Sequence, residues 1–444
     1  MNPAANSDLN HGIRANFAQF AHQVIQVFFV GLTLGMMRTV VPALSETEFG
    51  VPRGSFLLLT SFVVAFGVVK GSLNFVAGRL SERLGRKKVL FWGWLSAVPI
   101  PLMIYFAPSW GWIVAATVLL GVNQGFTWSM TQTSKLDLAR GDQRGFAIGV
   151  NEFSGYVGVA IAGIVTAYLA DHFGARTGLL WFGLAAIGAA GLATLLWVEE
   201  TLPWARLEAK LHATSTGPGF ANRARYPNNV SAKPTTWEMF TLMSWRDKRM
   251  AAFCQAGLVE KFVDAWMWVI YPVWLFQRGV PLPQIGWLVG AYGITWGVSQ
   301  FFTGRLSDRI GRLRPIVWGM WLCGAGVAIM PLLDSTLGLA LAGALSGFGM
   351  ALLYPNISAA VADIAHPDWR GSAIGIYRFW RDFGYAVGAL LLGVAAAVTG
   401  ALEVTFWLVG GAMGVSGLAV RLLAEETLPR LNPAYPPRDF PASA

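Results

Sequence analysis

Hydropathy divides the 444-residue chain into twelve apolar runs, near 17–40, 55–77, 89–107, 112–133, 146–170, 178–198, 251–275, 285–303, 316–333, 337–361, 372–398 and 403–423. Each is long enough to cross a hydrocarbon core of roughly 30 Å as a helix. The pattern predicts an all-α polytopic membrane protein with twelve transmembrane helices. The runs fall into two sets of six, within 1–198 and 250–444, on either side of a polar stretch at 199–249. That stretch is rich in Pro, Ser, Thr, Asn and Arg, too polar to span and too short for a catalytic domain. It is expected to be a cytoplasmic tether with one surface helix around 202–212. The proline-rich residues after Thr427 are expected to be irregular.

Composition agrees with the pattern. Hydrophobic residues make up 55% of the chain and charged ones 13%, against about 25% charged in ordinary soluble domains. The net charge of +9 would suggest nucleic acid in a soluble protein, but here its distribution accounts for it. With the N-terminus inside, the cytoplasmic segments hold 25 Lys and Arg (1 before the first run, 5 in 78–88, 3 in 134–145, 8 in 198–250, 4 in 304–315, 1 in 362–371 and 3 after 420), and the external loops only Arg53, Arg176 and Arg278. This asymmetry places both termini in the cytoplasm and the protein in the cytoplasmic membrane. The first sixteen residues are polar and lead directly into a multispanning body, so no cleavable signal is expected. Cys254 and Cys323 fall inside apolar runs and read as small packing residues.

The two sets are copies. Gly78-Arg79-Leu80-Ser81-Glu82-Arg83-Leu84-Gly85-Arg86, running on to Trp92-Gly93, returns as Gly304-Arg305-Leu306-Ser307-Asp308-Arg309-Ile310-Gly311-Arg312, running on to Trp318-Gly319. The offset is 226 (304 − 78), and nine of the sixteen positions in each cassette are identical. Gly67 and Gly71 map onto Gly293 and Gly297, Arg144-Gly145 onto Arg370-Gly371, Gly149 onto Gly375, and 199–203 onto 425–429 at the same offset. One order and one spacing imply parallel six-helix repeats about an axis along the membrane normal.

The cassette, placed between the second and third helices of each half, resembles the signature loop of the major facilitator superfamily (MFS), and with the twelve helices the resemblance covers almost the whole chain. It implies the MFS fold, a secondary transporter working by alternating access, and a cytoplasmic latch. In one copy of that latch Gly78, Glu82, Arg83, Gly85, Arg86, Arg144 and Glu199 or Glu200 would act together. In the other, Gly304, Asp308, Arg309, Gly311, Arg312, Arg370 and Glu425 or Glu426 would. The glycines have physical reasons to be there, Gly78 and Gly304 for close helix approach and Gly85 and Gly311 for a sharp turn. Proton-driven drug exporters of this family carry an arginine just upstream of a Gln-Gly pair in the fourth helix. The comparable stretch here, Gly121-Val122-Asn123-Gln124-Gly125, lacks it, and the fifth helix lacks their Gly-Pro. These departures argue against classical multidrug antiport.

Eight ionisable residues lie well inside the apolar runs: Lys70, Glu152, Glu260, Lys261, Asp264, Arg378, Arg381 and Asp382. At roughly 2.5–3.5 kcal/mol each, lipid exposure of all eight would cost roughly 20–28 kcal/mol, beyond the roughly 5–15 kcal/mol stability of a typical domain. They must face a cavity or one another. Lys70, Arg378, Arg381 and Asp382 are expected to line one wall with net charge +2, and Glu152, Glu260, Asp264 and Lys261 an opposite wall with net −2, Lys261 pointing away from the Glu260 and Asp264 face. The basic wall would hold an anionic group and Glu152 or Glu260 would take the coupling proton, with Asn151 beside it. His22, Gln23, Gln26, Asn123, Gln124, Tyr354 and Asn356 are weaker polar candidates.

The expectation is therefore a transporter for a small organic or inorganic anion or a zwitterion, coupled to protons. A proton-driven drug or metabolite exporter and a non-transporting MFS-like membrane sensor are the alternatives. Phosphate-loop, His-Glu-x-x-His and Cys-x-x-Cys patterns are lacking from the sequence, which argues against ATP-driven pumping and metalloenzyme chemistry. No enzyme activity, cofactor or metal is expected. The partners expected are a small solute, protons and the lipid bilayer, without nucleic acid, for a chain acting as a monomer.

Overall fold

The computed structural model describes residues 9–47, 56–215, 235–280, 282–365, 369–428 and 430–432. The proline-rich tail, Arg53 and the middle of the 199–249 stretch lie outside the described residues.

In the first half, α1 (Phe17–Thr47), α2 (Phe56–Leu84), α3 (Arg86–Ala97), α4 (Pro99–Tyr105), α5 (Trp110–Leu138), α6 (Arg144–Phe173) and α7 (Ala175–Leu196) follow the six apolar runs. The third run is divided at Val98, because Pro99 and Pro101 have no amide hydrogen to continue the ladder. Between the halves lie α8 (Leu202–Ser215) and α9 (Thr236–Thr241), the latter passing into a π turn at Leu242–Arg246. The second half comprises α10 (Lys248–Gln277), α11 (Leu282–Ile310), α12 (Leu313–Ile329), α13 (Thr336–Ile364), α14 (Arg370–Thr399) and α15 (Glu403–Leu423).

Among the described residues ten helices are long and apolar enough to cross a membrane. α10 and α11, with 30 and 29 residues, reach about 45 Å at 1.5 Å per residue. Their polar content sets them apart, since α10 carries Glu260, Lys261 and Asp264 near its middle. Large apolar side chains such as Trp181, Leu337 and Val398 point outward, as a lipid-facing surface requires.

The halves meet along two helix pairs that are equivalent under the 226 offset, α2 with α14 and α11 with α6. Small residues let the backbones touch. A Cβ at Gly78 would lie 2.5 Å from the Gly371 carbonyl oxygen, and one at Gly145 would lie 2.5 Å from that of Gly304. Away from these cassette ends the pairs differ. Gly67 still presses on Tyr385 and Ala386 of α14, whereas its counterpart Gly293 in α11 meets no described atom within 4 Å.

Candidate functional site

The buried charges gather between α2, α10 and α14. Asp382 sits at the centre, 3.0 Å from Arg381 Nη2, 3.4 Å from Lys70 Nζ and 3.7 Å from Arg378 Nη2. Asn74 of α2 adds an amide donor to it at 2.7 Å. Arg378 donates to Gln132 Oε1 at 2.7 Å, tying α14 to α5. From Arg381 the cluster continues to Glu260 Oε1 at 4.0 Å, then to Lys261 at 3.8 Å and on to Asp264 at 2.7 Å. Tyr385 and Tyr292 donate to Asp264 at 2.9 and 3.3 Å. All seven charged side chains are at most 3% exposed.

Two sequence expectations are corrected here. The two walls are not opposite, because α10 packs directly against α14 and the acids and bases interleave. Lys261 does not point away from Asp264 but reaches forward about one helical turn to pair with it. Within α14 the adjacent Arg381 approaches Asp382 more closely than Arg378, one turn away, does. Glu152 stands apart on α6, held by Trp128 Nε1 at 2.9 Å and Asn151 Nδ2 at 2.8 Å on one carboxylate oxygen. Among the described residues its other oxygen has no hydrogen-bond partner, and neither oxygen of Glu260 has one.

Aromatic rings surround the charges. Lys261 Nζ lies 4.5, 5.2 and 5.5 Å from the rings of Tyr354, Tyr385 and Trp296, and Arg381 lies 4.7 Å from Tyr354. Of the uncharged candidates, Gln26, Asn123 and Gln124 join helices within the first half by bonds to Ala190, Gly93 and Val30 carbonyls. Asn356 donates to the Leu352 carbonyl of its own helix. His22 stacks on Trp197.

The cassettes build a second buried network at the helix ends that carry them. Gly85 and Gly311 adopt φ of 98° and 101°, the left-handed turn that a side chain would strain. Beside each, a carboxylate caps the next helix: Glu200 accepts from the Arg86 and Lys87 amides at 2.7 and 3.2 Å, and Glu426 from those of Arg312 and Leu313 at 2.7 and 3.1 Å. A negative charge there also favours the helix dipole. Arg86 bonds Asp137 at 2.9 Å and Arg312 bonds Asp363 at 3.1 Å, with Thr201 and Thr427 donating to the same two carboxylates.

The cassette acids reach across the interface. Glu82 accepts from the Ser372 amide at 2.6 Å, and Asp308 from the Gly145 and Phe146 amides at 3.0 and 2.9 Å. Each half thus caps a helix of the other, which corrects the expectation of one latch confined to each copy. Arg144 and Arg370 do not pair with the cassette acids. Both converge on Glu208 of α8, at 2.9 Å from Arg144 and 2.7 Å from both terminal nitrogens of Arg370. Arg144 also reaches Asp363 at 3.2 Å. Arg83 and Arg309 are exposed and join neither network among the described residues. The helix expected near 202–212 does form, but its Glu208 is 2% exposed and not a surface group.

Several participants escaped the sequence reading: Asn74, Gln132, Asp137, Glu208, Asp363, Tyr292, Tyr385 and Lys135. Asp137 and Asp363 share the 226 offset and could have been found by extending it. Lys135, counted there as a cytoplasmic loop charge, is buried in the last turn of α5. It donates to the Gln23 carbonyl and to Asn151 Oδ1, each at 2.8 Å. The run predicted to end at 133 continues to Leu138 because these polar side chains find partners inside.

The chain matches the model of the Major Facilitator Superfamily over residues 24–269 and again over 256–443. It is similar to an uncharacterized MFS-type transporter of Salmonella typhimurium, with 22% identity over 417 residues covering 89% of this chain and 93% of that one. It is also similar to the multi-drug resistance efflux pump PmrA homolog of Lactococcus lactis, with 23% identity over 394 residues, 88% and 90% of the two chains. Among solved structures, that of the human organic anion transporter MFSD10 (TETRAN) superposes with a TM-score of 0.72 at 17% identity, over 91% of this chain and 99% of that one.

Proposed function

The chain belongs to the major facilitator superfamily and is a multi-pass membrane transporter, not an enzyme; on that premise we propose that it moves a small organic or inorganic anion, or a zwitterion, across the cytoplasmic membrane by proton-coupled alternating access. The halves are residues 1–198 and 250–444, tethered by 199–249, with both termini cytoplasmic and a monomer carrying the cycle. The reading rests on the buried cluster where the halves meet. Four cations (Lys70, Lys261, Arg378, Arg381) face three carboxylates (Glu260, Asp264, Asp382), a net of +4 − 3 = +1. Arg381 Nη1 and Arg378 Nη2 have no hydrogen-bond partner among the described residues. Stripping water from an ion costs several kcal/mol, and an anion from solution answers the uncompensated cation.

Glu260 supplies the coupling. Its carboxylate lies within 4.0 Å of Lys261 and Arg381 without a hydrogen bond among the described residues. A proton on it raises the cluster from +1 to +2, so proton and anion favour each other's binding and travel together. Glu152, with one unpartnered oxygen and Asn151 orienting it, is the second proton carrier. The cytoplasmic network closes the inner side while the outer side is open, and the Glu208 contact with Arg144 and Arg370 is its centre.

The test is uptake by proteoliposomes under an imposed pH gradient, together with counterflow. Glu260→Gln should keep exchange and lose gradient-driven accumulation. Accumulation unchanged in both Glu260→Gln and Glu152→Gln would sink the proton role. The second reading, a proton-driven exporter of drugs or metabolites, draws on the likeness to the Lactococcus lactis efflux pump homolog. It requires that substrate and proton cross in opposite directions, which the same vesicles decide.

A further inference from the structure

We infer that the substrate is an aromatic carboxylate, its ring seated between Tyr156 and Trp296 and its carboxylate on Arg381. The inference rests on the anion reading above and narrows it.

Four rings from four helices form a continuous row, with centroid separations of 5.9 Å from Trp128 to Tyr156, 4.0 Å from Tyr156 to Trp296 and 5.5 Å from Trp296 to Tyr354. Trp128 and Tyr156 belong to the first half, Trp296 and Tyr354 to the second. The Tyr156 and Trp296 step therefore crosses the interface that alternating access must open. The row begins at Glu152, which Trp128 holds, and ends beneath the cations, since Tyr354 carries both Arg381 and Lys261 on its face. It also lies on the looser of the two helix pairs. Gly293 of α11 has no described neighbour within 4 Å and Gly297 meets only Tyr156 Cβ at 3.9 Å, whereas the Gly67 and Gly71 contacts of α2 with α14 remain tight.

When α6 and α11 part, Tyr156 and Trp296 each lose a ring partner. A flat ring entering between them restores both contacts, and the guanidinium one ring further along receives its carboxylate. Trp296 Nε1 is buried with no acceptor among the described residues, which suits an oxygen substituent on the ring. An inorganic anion would leave the ring faces bare. An aromatic cation is poorly matched, because Lys261 already occupies the cation position over Trp296, Tyr354 and Tyr385.

The experiment compares benzoate with cyclohexanecarboxylate, which has the same charge and nearly the same size but no π face, using thermal shift and saturation binding on the purified full chain. Benzoate is expected to bind up to about 10-fold more tightly, the range of an aromatic pair contact. Trp296→Leu should bring the ratio to about one and Trp296→Phe should keep most of it. Equal binding of the two acids by the unchanged protein overturns the ring assignment and leaves the anion reading standing. Binding of neither acid, nor of acetate or phosphate, overturns both. Tighter binding of phenyltrimethylammonium than of benzoate overturns the assignment of charge. The comparison on the unchanged protein decides even where Trp296→Leu does not fold.

Discussion

Replacing Glu208 by Gln keeps the shape of the side chain and removes the one charge that Arg144 and Arg370 share. Both guanidiniums are at most 1% exposed. Arg144 retains Asp363 at 3.2 Å, while Arg370 has no second carboxylate within ion-pair distance among the described residues. Removing one partner of a buried pair costs about 3–5 kcal/mol, and this cost falls on the state in which the cytoplasmic ends are joined. At about 1.4 kcal/mol per tenfold, the balance should move toward the state open at the cassette end by roughly 100- to 4,000-fold. The assay places a single cysteine at Ser372, which is 2% exposed and bonded through its amide to Glu82, in a Cys254→Ala, Cys323→Ala background. Maleimide labelling of that cysteine should accelerate by about 100-fold or more in Glu208→Gln. Glu199→Gln, a change at an exposed neighbour, should leave the rate alone. A Glu208→Gln protein that labels no faster than its parent would refute the reasoning, because the buried carboxylate would then contribute equally to both states.

Among the described residues Asp363 holds two guanidiniums, Arg312 and Arg144, and Asp137 holds one, Arg86; Asp363→Asn should therefore lower the unfolding midpoint in detergent more than Asp137→Asn, and the reverse order would contradict the network. Gly311→Ala forces φ of 101° on a residue with a Cβ that meets the Glu426 carboxylate, at a cost of about 1–2 kcal/mol from the backbone alone. Gly188→Ala, in a helix with open space around it, should cost nothing by the same thermal measurement. Burial, only partly opposed by Glu208, pushes His11 below its ordinary value of 6.5. The folded chain thus favours the neutral ring, and the stability this contributes is present above pH 6.5 and lost as pH falls below it. Hydrogen-exchange protection around His11 and Trp204, which it contacts, taken relative to the intrinsic rate at each pH, should fall on acidification in the parent and not in His11→Gln.

What was legible in the sequence follows from what repetition can reveal. The cassette marked both turns, and its Gly78 and Gly304 marked two close helix approaches, whose partners the structure supplies as α14 and α6. Asp137 and Asp363 obey the same offset but stand alone among differing neighbours, so short identical runs passed over them. Glu208 was beyond reach by this route, since its counterpart position is Ala434 and comparison of the halves shows only shared residues. Helical periodicity placed Arg378 one turn from Asp382 but could not anticipate that long side chains bend. Arg381 reaches its immediate neighbour, and Lys261 reaches forward to Asp264. Hydropathy likewise cut α5 short at Lys135, because a scale built on lipid exposure penalises a lysine that the fold satisfies with carbonyl oxygens.

The position of Glu208 in the chain bears on how the protein can be taken apart. Helix α8 ends at Ser215, so a break anywhere in 216–234 leaves this carboxylate covalently joined to the first six helices and its partner Arg370 on the last six. Two separately expressed fragments would carry matched, oppositely charged docking faces at their inner ends, together with the reciprocal Glu82 and Asp308 contacts. Pairing of the two fragments through these contacts should then not require a covalent link across 216–234, and co-purification of the separately expressed fragments measures it.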